Sequence, residues 1–328
     1  MKILVTGANG FIGKAACQTL SAAGHTVFAL VRASSAAPVQ SGARIEYIHA
    51  EADFVNIEDT IMQISRIAPL EVVVHLAARV HDISRRHFIN TPQRCAAYHE
   101  TNVAGTLRVA RAAAQAGTKR FIFISSVKAL GEIEPGRPWR EDDSPTPSDP
   151  YGQSKYAAEV ALRALGQRIG LDIVIVRPPL VYGPDVRAHF LQLMHAIARG
   201  WPLPLASVHA PRSFIYIGNL ADALALCATH PNAAGQTFHV SDGMYVSVSE
   251  LAAALGEALG ASARLWRCPV ALCSALGRIT GRAAQINRLT QPLRLDITRV
   301  RTVLNWLPPY SLQDGLQQTA AWYRRHPL

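Results

Sequence analysis

Tyr151 and Lys155 stand four residues apart in Tyr151-Gly-Gln-Ser-Lys155, where a stretch with apolar positions Ala157, Val160, Leu162 and Leu165 begins. That spacing fits a helix and puts the phenol and the ammonium on one face. A free tyrosine titrates near pH 10. A neighbouring ammonium favours the phenolate, which predicts a Tyr151 that exchanges protons closer to neutrality and serves as general acid or base. Ser126 follows the apolar run Phe121 to Ser125. Ligands of parallel sheets gather at the carboxyl ends of strands, so its hydroxyl can hydrogen-bond a carbonyl or alcohol. The chemistry these three residues could do is proton transfer at a carbon–oxygen bond.

A second group handles an anion. In Ile3-Leu-Val-Thr-Gly7-Ala-Asn-Gly10-Phe-Ile-Gly13 a strand runs into three glycines at spacing three and then into a helix. Gly7 permits a tight turn, Gly10 lets backbone approach a pyrophosphate, and Gly13 lets the helix pack closely. The helix start then offers free N–H groups to the phosphates. Folds of this kind that take NAD place an acid at the end of the second strand. Here that strand ends Val31-Arg32, with Ser34 and Ser35 beyond, a set suited to a 2′-phosphate. NADP(H) is expected ahead of NAD(H).

These residues need a scaffold. Apolar runs at Ile3 to Thr6, Thr26 to Val31, Val72 to His75, Phe121 to Ser125 and Asp172 to Arg177 read as strands. Helical patterns lie between them, among them Ile12 to Ala23 closed by Gly24 and Val103 to Ala116 closed by Gly117. Strand–helix alternation predicts an α/β, doubly wound parallel sheet of the Rossmann type over 1–178. A smaller α/β substrate domain is expected over 179–328, with a strand at Thr237 to Val240 returning to the first and a capping box at Ser247-Val-Ser-Glu250. Residues 260 to 300 stay ambiguous between helix and irregular chain.

Composition narrows the class. Hydrophobic residues make up 49% of the 328, enough for a full core. The longest uncharged apolar run, Cys268 to Gly277, is too short to span a bilayer, so no membrane span is expected. Five scattered cysteines without a CxxC pair suggest neither disulfides nor zinc, and no HExxH occurs; a reducing cytoplasm fits. The net charge of +10 would draw polyanions, but arginines are dispersed and aromatics are only 7%, so no nucleic-acid platform is expected.

The motifs TGANGFIG, HLAA (His75 to Ala78), Asn102-Val-Ala-Gly-Thr, SSVKALGE, YGQSK and RPPLVYGP occur in that order. In them the chain resembles the extended short-chain dehydrogenase/reductase family, the NAD-dependent epimerases and dehydratases, over essentially its whole length. The resemblance implies that Gly7, Gly10 and Gly13 hold the pyrophosphate, with Phe11 and Ile12 also on the cofactor, Asp53 the adenine and Ala77 the cofactor backbone; Arg32, where an acid is common, is by its position either a cofactor contact or a solvated strand end. It gives Ser126, Tyr151 and Lys155 the chemistry, with Lys155 also on the nicotinamide ribose. SSVKALGE, VYGP and Leu304-Asn-Trp306-Leu-Pro-Pro-Tyr310 look most like bacterial polysaccharide enzymes that reduce UDP-4-keto-6-deoxy-N-acetylhexosamines, as in quinovosamine and fucosamine synthesis.

On the substrate side, Arg212-Ser-Phe-Ile-Tyr216 resembles the segment whose arginine binds the diphosphate, and a guanidinium suits phosphate oxygens. An ordinary surface arginine is the competing reading. Lys128 either reaches a substrate phosphate or acetamido oxygen or is solvated. Arg79 could line the sugar pocket, and His189 stands where an asparagine often contacts the diphosphate. The loop Pro135 to Pro150, with Glu141, Asp142 and Asp143, is either an edge of the site or a solvated acidic run. Asn219 and Asp296 stand at family positions that carry no reading.

Three functions compete. The leading one is a UDP-sugar C4 ketone reductase; the others are a UDP-hexose 4-epimerase with retained NAD and a non-catalytic dinucleotide sensor. A steroid- or flavonoid-type ketone dehydrogenase would leave Arg212 without a use. A homodimer through the helices after Tyr98 and Tyr151 is carried over from the resemblance.

Overall fold

A computed structural model describes residues 1–32, 44–80, 92–269 and 290–326. Ser34, Ser35, Cys273 and much of the ambiguous 260–300 stretch lie outside the described residues. The chain begins β1 (Lys2–Thr6), α1 (Phe11–Ala22), β2 (Thr26–Arg32), β3 (Ile45–Ala50), α2 (Ile57–Ile67) and β4 (Val72–His75). It continues α3 (Pro92–His99), α4 (Thr106–Gln115), β5 (Arg120–Ile124), α5 (Pro150–Ile169), β6 (Asp172–Arg177) and β7 (Leu180–Tyr182). Then come α6 (Ala188–Ala198), β8 (Arg212–Tyr216), α7 (Ile217–Thr229), β9 (Thr237–His239) and β10 (Tyr245–Val246). The described chain ends with α8 (Val248–Leu259), α9 (Thr298–Leu304) and α10 (Leu312–Arg325).

Seven strands form one sheet in the order β3-β2-β1-β4-β5-β6-β9, every pair parallel. The order reverses between β1 and β4, which puts the ends of those two strands at the crevice where parallel sheets bind ligands. Side chains alternate across the sheet as the two-residue period requires. Ile3, Val5, Val72, Val74, Ile122, Ile124, Val174 and Val176 face one apolar layer. Leu4, Val73, Phe121, Phe123, Ile173 and Ile175 face the other. Both faces are covered, which is why these strands read as unbroken apolar runs.

Helices α2, α4 and α5 pack on one face. On the other lie α1, α7 and the segment from Ile297 to Trp306, so the second half of the chain supplies part of the first core. A three-stranded sheet, β10-β8-β7, with α6, α8 and α10 encloses a separate apolar cluster around Tyr182, Phe190, Met194, Phe214, Leu255 and Leu316. The capping box expected at Ser247 closes the start of α8. A second one, Ser311 with Asp314, starts α10.

Among the described residues, no helix is long and apolar enough to cross a membrane, and Cys17, Cys95, Cys227 and Cys268 are free thiols.

Candidate active site

Gly7 adopts φ +67°, and a Cβ there would sit 2.8 Å from the Ala77 nitrogen. At Gly13 a Cβ would come 2.1 Å from the Gly7 carbonyl oxygen. The turn and helix are therefore packed backbone to backbone. Gly10 is the N-cap of α1 and provides no side-chain cap. The first-turn N–H groups, which a helix cannot satisfy internally, stand ready for an anion. Phe11 and Ile12 open α1 and pack toward the third apolar cluster. The residues present thus fit a dinucleotide phosphate: a cradle that Cβ atoms would fill, at an uncapped helix start. Arg32 closes β2 and is exposed.

Behind this cradle runs a buried chain of neutral groups. The Ala77 N–H donates to Thr6 Oγ1 at 3.2 Å, and Thr6 Oγ1 meets His75 Nδ1 at 2.9 Å. His75 Nε2 meets Thr106 Oγ1 at 3.0 Å, and that hydroxyl donates to the Asn102 carbonyl at 2.8 Å. Because Thr106 gives its proton to Asn102, His75 Nε2 must carry a hydrogen, and Nδ1 is left to accept from Thr6. Burial pushes the imidazole pKa down to about 3, with the Lys155 charge adding to it, so the ring is neutral. Asn102 lies in a π-helical turn, Glu100–Gly105, of the kind often found at functional sites. Its side chain accepts the Arg79 N–H at 2.8 Å and donates to the Arg79 carbonyl at 3.1 Å and to Ser154 Oγ at 2.9 Å. Ser154 donates to the Tyr151 carbonyl at 2.8 Å, joining the end of β4 to α5.

Asp53 lies in a turn where Asp53, Phe54 and Asn56 all have positive φ, a strained arrangement for such residues. Thr101 Oγ1 donates to its carboxylate at 2.6 Å, and Arg108 Nη2 donates to its carbonyl, also at 2.6 Å.

Helix α5 brings the catalytic candidates together. Asp149 caps it, accepting the Gly152 N–H at 2.6 Å, and Pro150 takes the first turn, where its missing N–H costs nothing. The Tyr151 side chain hydrogen-bonds that of Ser126. Lys155 Nζ donates to the Ile124 carbonyl at 2.7 Å, 4.5 Å from the centre of the Phe123 ring and 6.0 Å from that of Tyr151. The electrostatics differ from the expectation of a phenol lowered by its ammonium. Burial dominates and, with the Asp149 carboxylate, raises the phenol, while the bond to Ser126 opposes the rise. Burial also pushes Lys155 down to about 7, against the pull of Glu159.

The substrate-side candidates come from separate segments, with Lys128 on the turn of Ser126 and Arg212 in the field of Glu132, the partner of Lys128. Arg212, at the start of β8, donates to the Gln291 carbonyl at 2.7 Å; burial lowers it to about 10, opposed by Glu132 and Glu134. Lys128 is not a solvated lysine: it pairs with Asp149 at 2.5 Å and Glu132 at 3.0 Å. Arg79 is exposed, its backbone pinned by Asn102. His189 is exposed on the first turn of α6, a different helix from that of Tyr151.

The acidic run is tied at each residue, with Glu141 buried and Asp142 still largely in solvent. Glu141 accepts the His239 N–H at 2.9 Å, Asp143 pairs with Arg137 at 2.6 Å, and Asp142 pairs with Arg299. Asn219, a position without a reading, clasps the Tyr310 peptide from both sides at 2.9 Å and donates to Asp242 at 2.7 Å. Asp296 accepts the Thr298 N–H at 2.8 Å.

Sequence reasoning gave Thr6, His75 and Asn102 only as parts of motifs. The signal for a role was a polar residue closing each of two apolar strands.

The sequence model of the NAD dependent epimerase/dehydratase family matches residues 3–241. The chain is 38% identical over 326 residues to a UDP-glucose 4-epimerase of Vibrio cholerae, covering 97% of this chain and 94% of that one. Its fold is similar to that of the UDP-glucose 4-epimerase of Thermotoga maritima solved with UDP-glucose, with a TM-score of 0.78, 25% identity and 99% of each chain covered. It is also similar to the UDP-glucose 4-epimerase of Thermus thermophilus solved with NAD, with a TM-score of 0.77, 23% identity, and 99% and 100% covered.

Proposed function

The chain belongs to the NAD dependent epimerase/dehydratase family and is an enzyme of the short-chain dehydrogenase type, and we propose that it reduces the C4 ketone of a UDP-4-keto-6-deoxy-N-acetylhexosamine. The observation that carries this reading is the convergence of Ser126, Tyr151 and Lys155 at the carboxyl end of β5. The glycine cradle at the end of β1, across β4 from β5, supports it.

Gly7, Gly10, Phe11, Ile12 and Gly13 would hold the pyrophosphate, Arg32 the ribose end, Asp53 the adenine, and Ala77 the cofactor backbone. When bound, NAD(P)H supplies the hydride and leaves as NAD(P)⁺. Tyr151 holds the proton that the ketone oxygen takes up, and a phenol raised by burial stays protonated until that oxygen gains charge. Ser126 donates a hydrogen bond to the same developing oxyanion. Lys155, held on the Ile124 carbonyl, positions the nicotinamide ribose. Arg212 takes the diphosphate; Arg79 and His189 line the sugar and nucleotide sides. Arg32 favours NADP(H), while the relative solved with NAD supports NAD(H). Residues 1–178 with β9 serve the cofactor and 179–328 the substrate, in a cytoplasmic homodimer.

The relative named a UDP-glucose 4-epimerase favours a second reading, in which the same carbon is oxidised and re-reduced and NAD is retained.

The deciding experiment follows NADPH and NADH oxidation at the nicotinamide absorbance with UDP-4-keto-6-deoxy-N-acetylglucosamine. Turnover that falls by about 10²- to 10⁴-fold in Tyr151→Phe is the expected result. No oxidation of either cofactor, with UDP-glucose and UDP-galactose interconverted instead, overturns the reductase and leaves the epimerase.

A further inference from the structure

Lys128 touches both sides of the junction between β5 and α5. Its N–H donates to Ser126 Oγ at 3.2 Å. Its carbonyl oxygen lies so close to Gly152 that a Cβ there would come within 2.4 Å. Its ammonium meets the N-cap carboxylate of α5, Asp149 Oδ2, at 2.5 Å and Glu132 Oε1 at 3.0 Å. One residue thus holds the Ser126 oxygen, the first turn of the Tyr151 helix and the charge that caps it.

We infer that Lys128 is a positioning residue for the Ser126–Tyr151 pair: it clamps the turn carrying Ser126 to the start of α5 and screens the Asp149 carboxylate from the phenol. The inference rests on Ser126 and Tyr151 being the reacting pair, and it gives Lys128 a use other than contact with substrate.

Two arguments carry it. Ser126 Oγ accepts the backbone N–H of Lys128, which leaves the hydroxyl proton free to donate, to the Tyr151 oxygen until substrate takes it, and a hydroxyl that already accepts a bond is the better donor. The second argument is charge. Asp149, two residues from Tyr151, disfavours the phenolate, and an ammonium at 2.5 Å offsets it. The two side chains are only 21% and 14% exposed, so the pair is less screened than a surface one. Among the described residues, the groups around Tyr151 include Asp149 and Lys155 on α5, Tyr98 on α3 with Arg94 over its ring, and Ser126, Lys128 and Glu132 from the turn after β5. Lys128 is a cation that the structure sets directly against Asp149.

The test uses Lys128→Met and Lys128→Arg, each in the wild-type and Asp149→Asn backgrounds; asparagine still caps a helix. The first readout is the ¹³Cζ resonance of Tyr151, which for a protonated phenol reports its hydrogen bond and local field, at fixed pH in protein without sugar, identified by its loss in Tyr151→Phe. It is expected to move in Lys128→Met, to stay in Lys128→Arg, and to move little when Lys128→Met is made on Asp149→Asn. Asp149→Asn alone should move it the opposite way, which keeps the test open if Lys128→Met folds poorly.

In turnover, unscreening Asp149 raises the phenol further, so Tyr151 becomes a weaker acid. The value of kcat should then fall by roughly tenfold, about one pKa unit, with cofactor KM unchanged. The alkaline limb of the pH profile should move to higher pH. A Tyr151 resonance unmoved by Lys128→Met overturns the inference. So does an equal loss of kcat on the Asp149→Asn background, which would place Lys128 on the substrate itself. If the wild type turns over no sugar, the functional reading fails while the resonance still decides this one.

Discussion

Around the glycine turn the polar groups are neutral and answer one another through hydrogen bonds, from Ala77 through Thr6, His75 and Thr106 to Asn102. Around the turn after β5 they are charged: Lys128 with Asp149 and Glu132, and Glu134 with Arg294. The first region lies in the interior, where His75 and Thr106 are fully buried and a charge would cost several kcal/mol. The second keeps partial contact with solvent, so ions survive there and can meet an anionic substrate. One half of the site is thus set by shape and the other by field.

The most severe way to break that contrast is Gly13→Ala. Its Cβ would meet the Gly7 carbonyl at 2.1 Å, and neither backbone can yield without opening the cradle. Cofactor affinity, read by nicotinamide fluorescence, should be lost, and stability should fall by roughly 3 kcal/mol or more. Unchanged affinity would show that backbone packing does not set the first half.

Next in size is Thr106→Val. It keeps the shape but strands the buried His75 Nε2–H and takes one hydrogen bond from the Asn102 carbonyl, which lies in a helical turn. At about 1–3 kcal/mol for a stranded buried group, the loss should be roughly 1–3 kcal/mol by denaturant unfolding. Thr106→Ser should recover most of it. A valine variant as stable as wild type would mean that the chain is incidental to the fold.

What could be read in advance divides along another line. The glycine turn, the strand ends and Tyr151 with Lys155 are local patterns, each complete within about a dozen residues, and the structure keeps them where the spacing put them. Strands β7 and β10, of three and two residues, are too short for a period to show. Ser311 and Asp314, by contrast, form a capping box whose spacing is local and legible in sequence. The side-chain networks of both halves depend on partners far apart in sequence: Thr6 and His75 are 69 residues apart, Lys128 and Asp149 21, and Glu134 and Arg294 160. No local pattern pairs such residues, so Lys128 read equally well as a substrate ligand or a solvated charge, and the acidic run at 141–143 as a loop.

Glu134→Gln gives the smallest effect and the sharpest comparison. The Glu134 side chain is 1% exposed and takes the Arg294 guanidinium at two oxygens, while that of Arg294 is 26% exposed. Glutamine still offers one oxygen to the Arg294 N–H, and the freed guanidinium has water within reach. The cost should therefore be about 1 kcal/mol, nearer a surface pair than a buried one. Its salt dependence is what separates the two halves. Raising ionic strength from about 0.1 to 1 M shortens the screening length from roughly 10 to 3 Å. The gap between wild type and Glu134→Gln should narrow over that range, whereas the Thr106→Val deficit, which involves no charge, should not. Equal salt responses in the two variants would dissolve the distinction between a half set by shape and a half set by field.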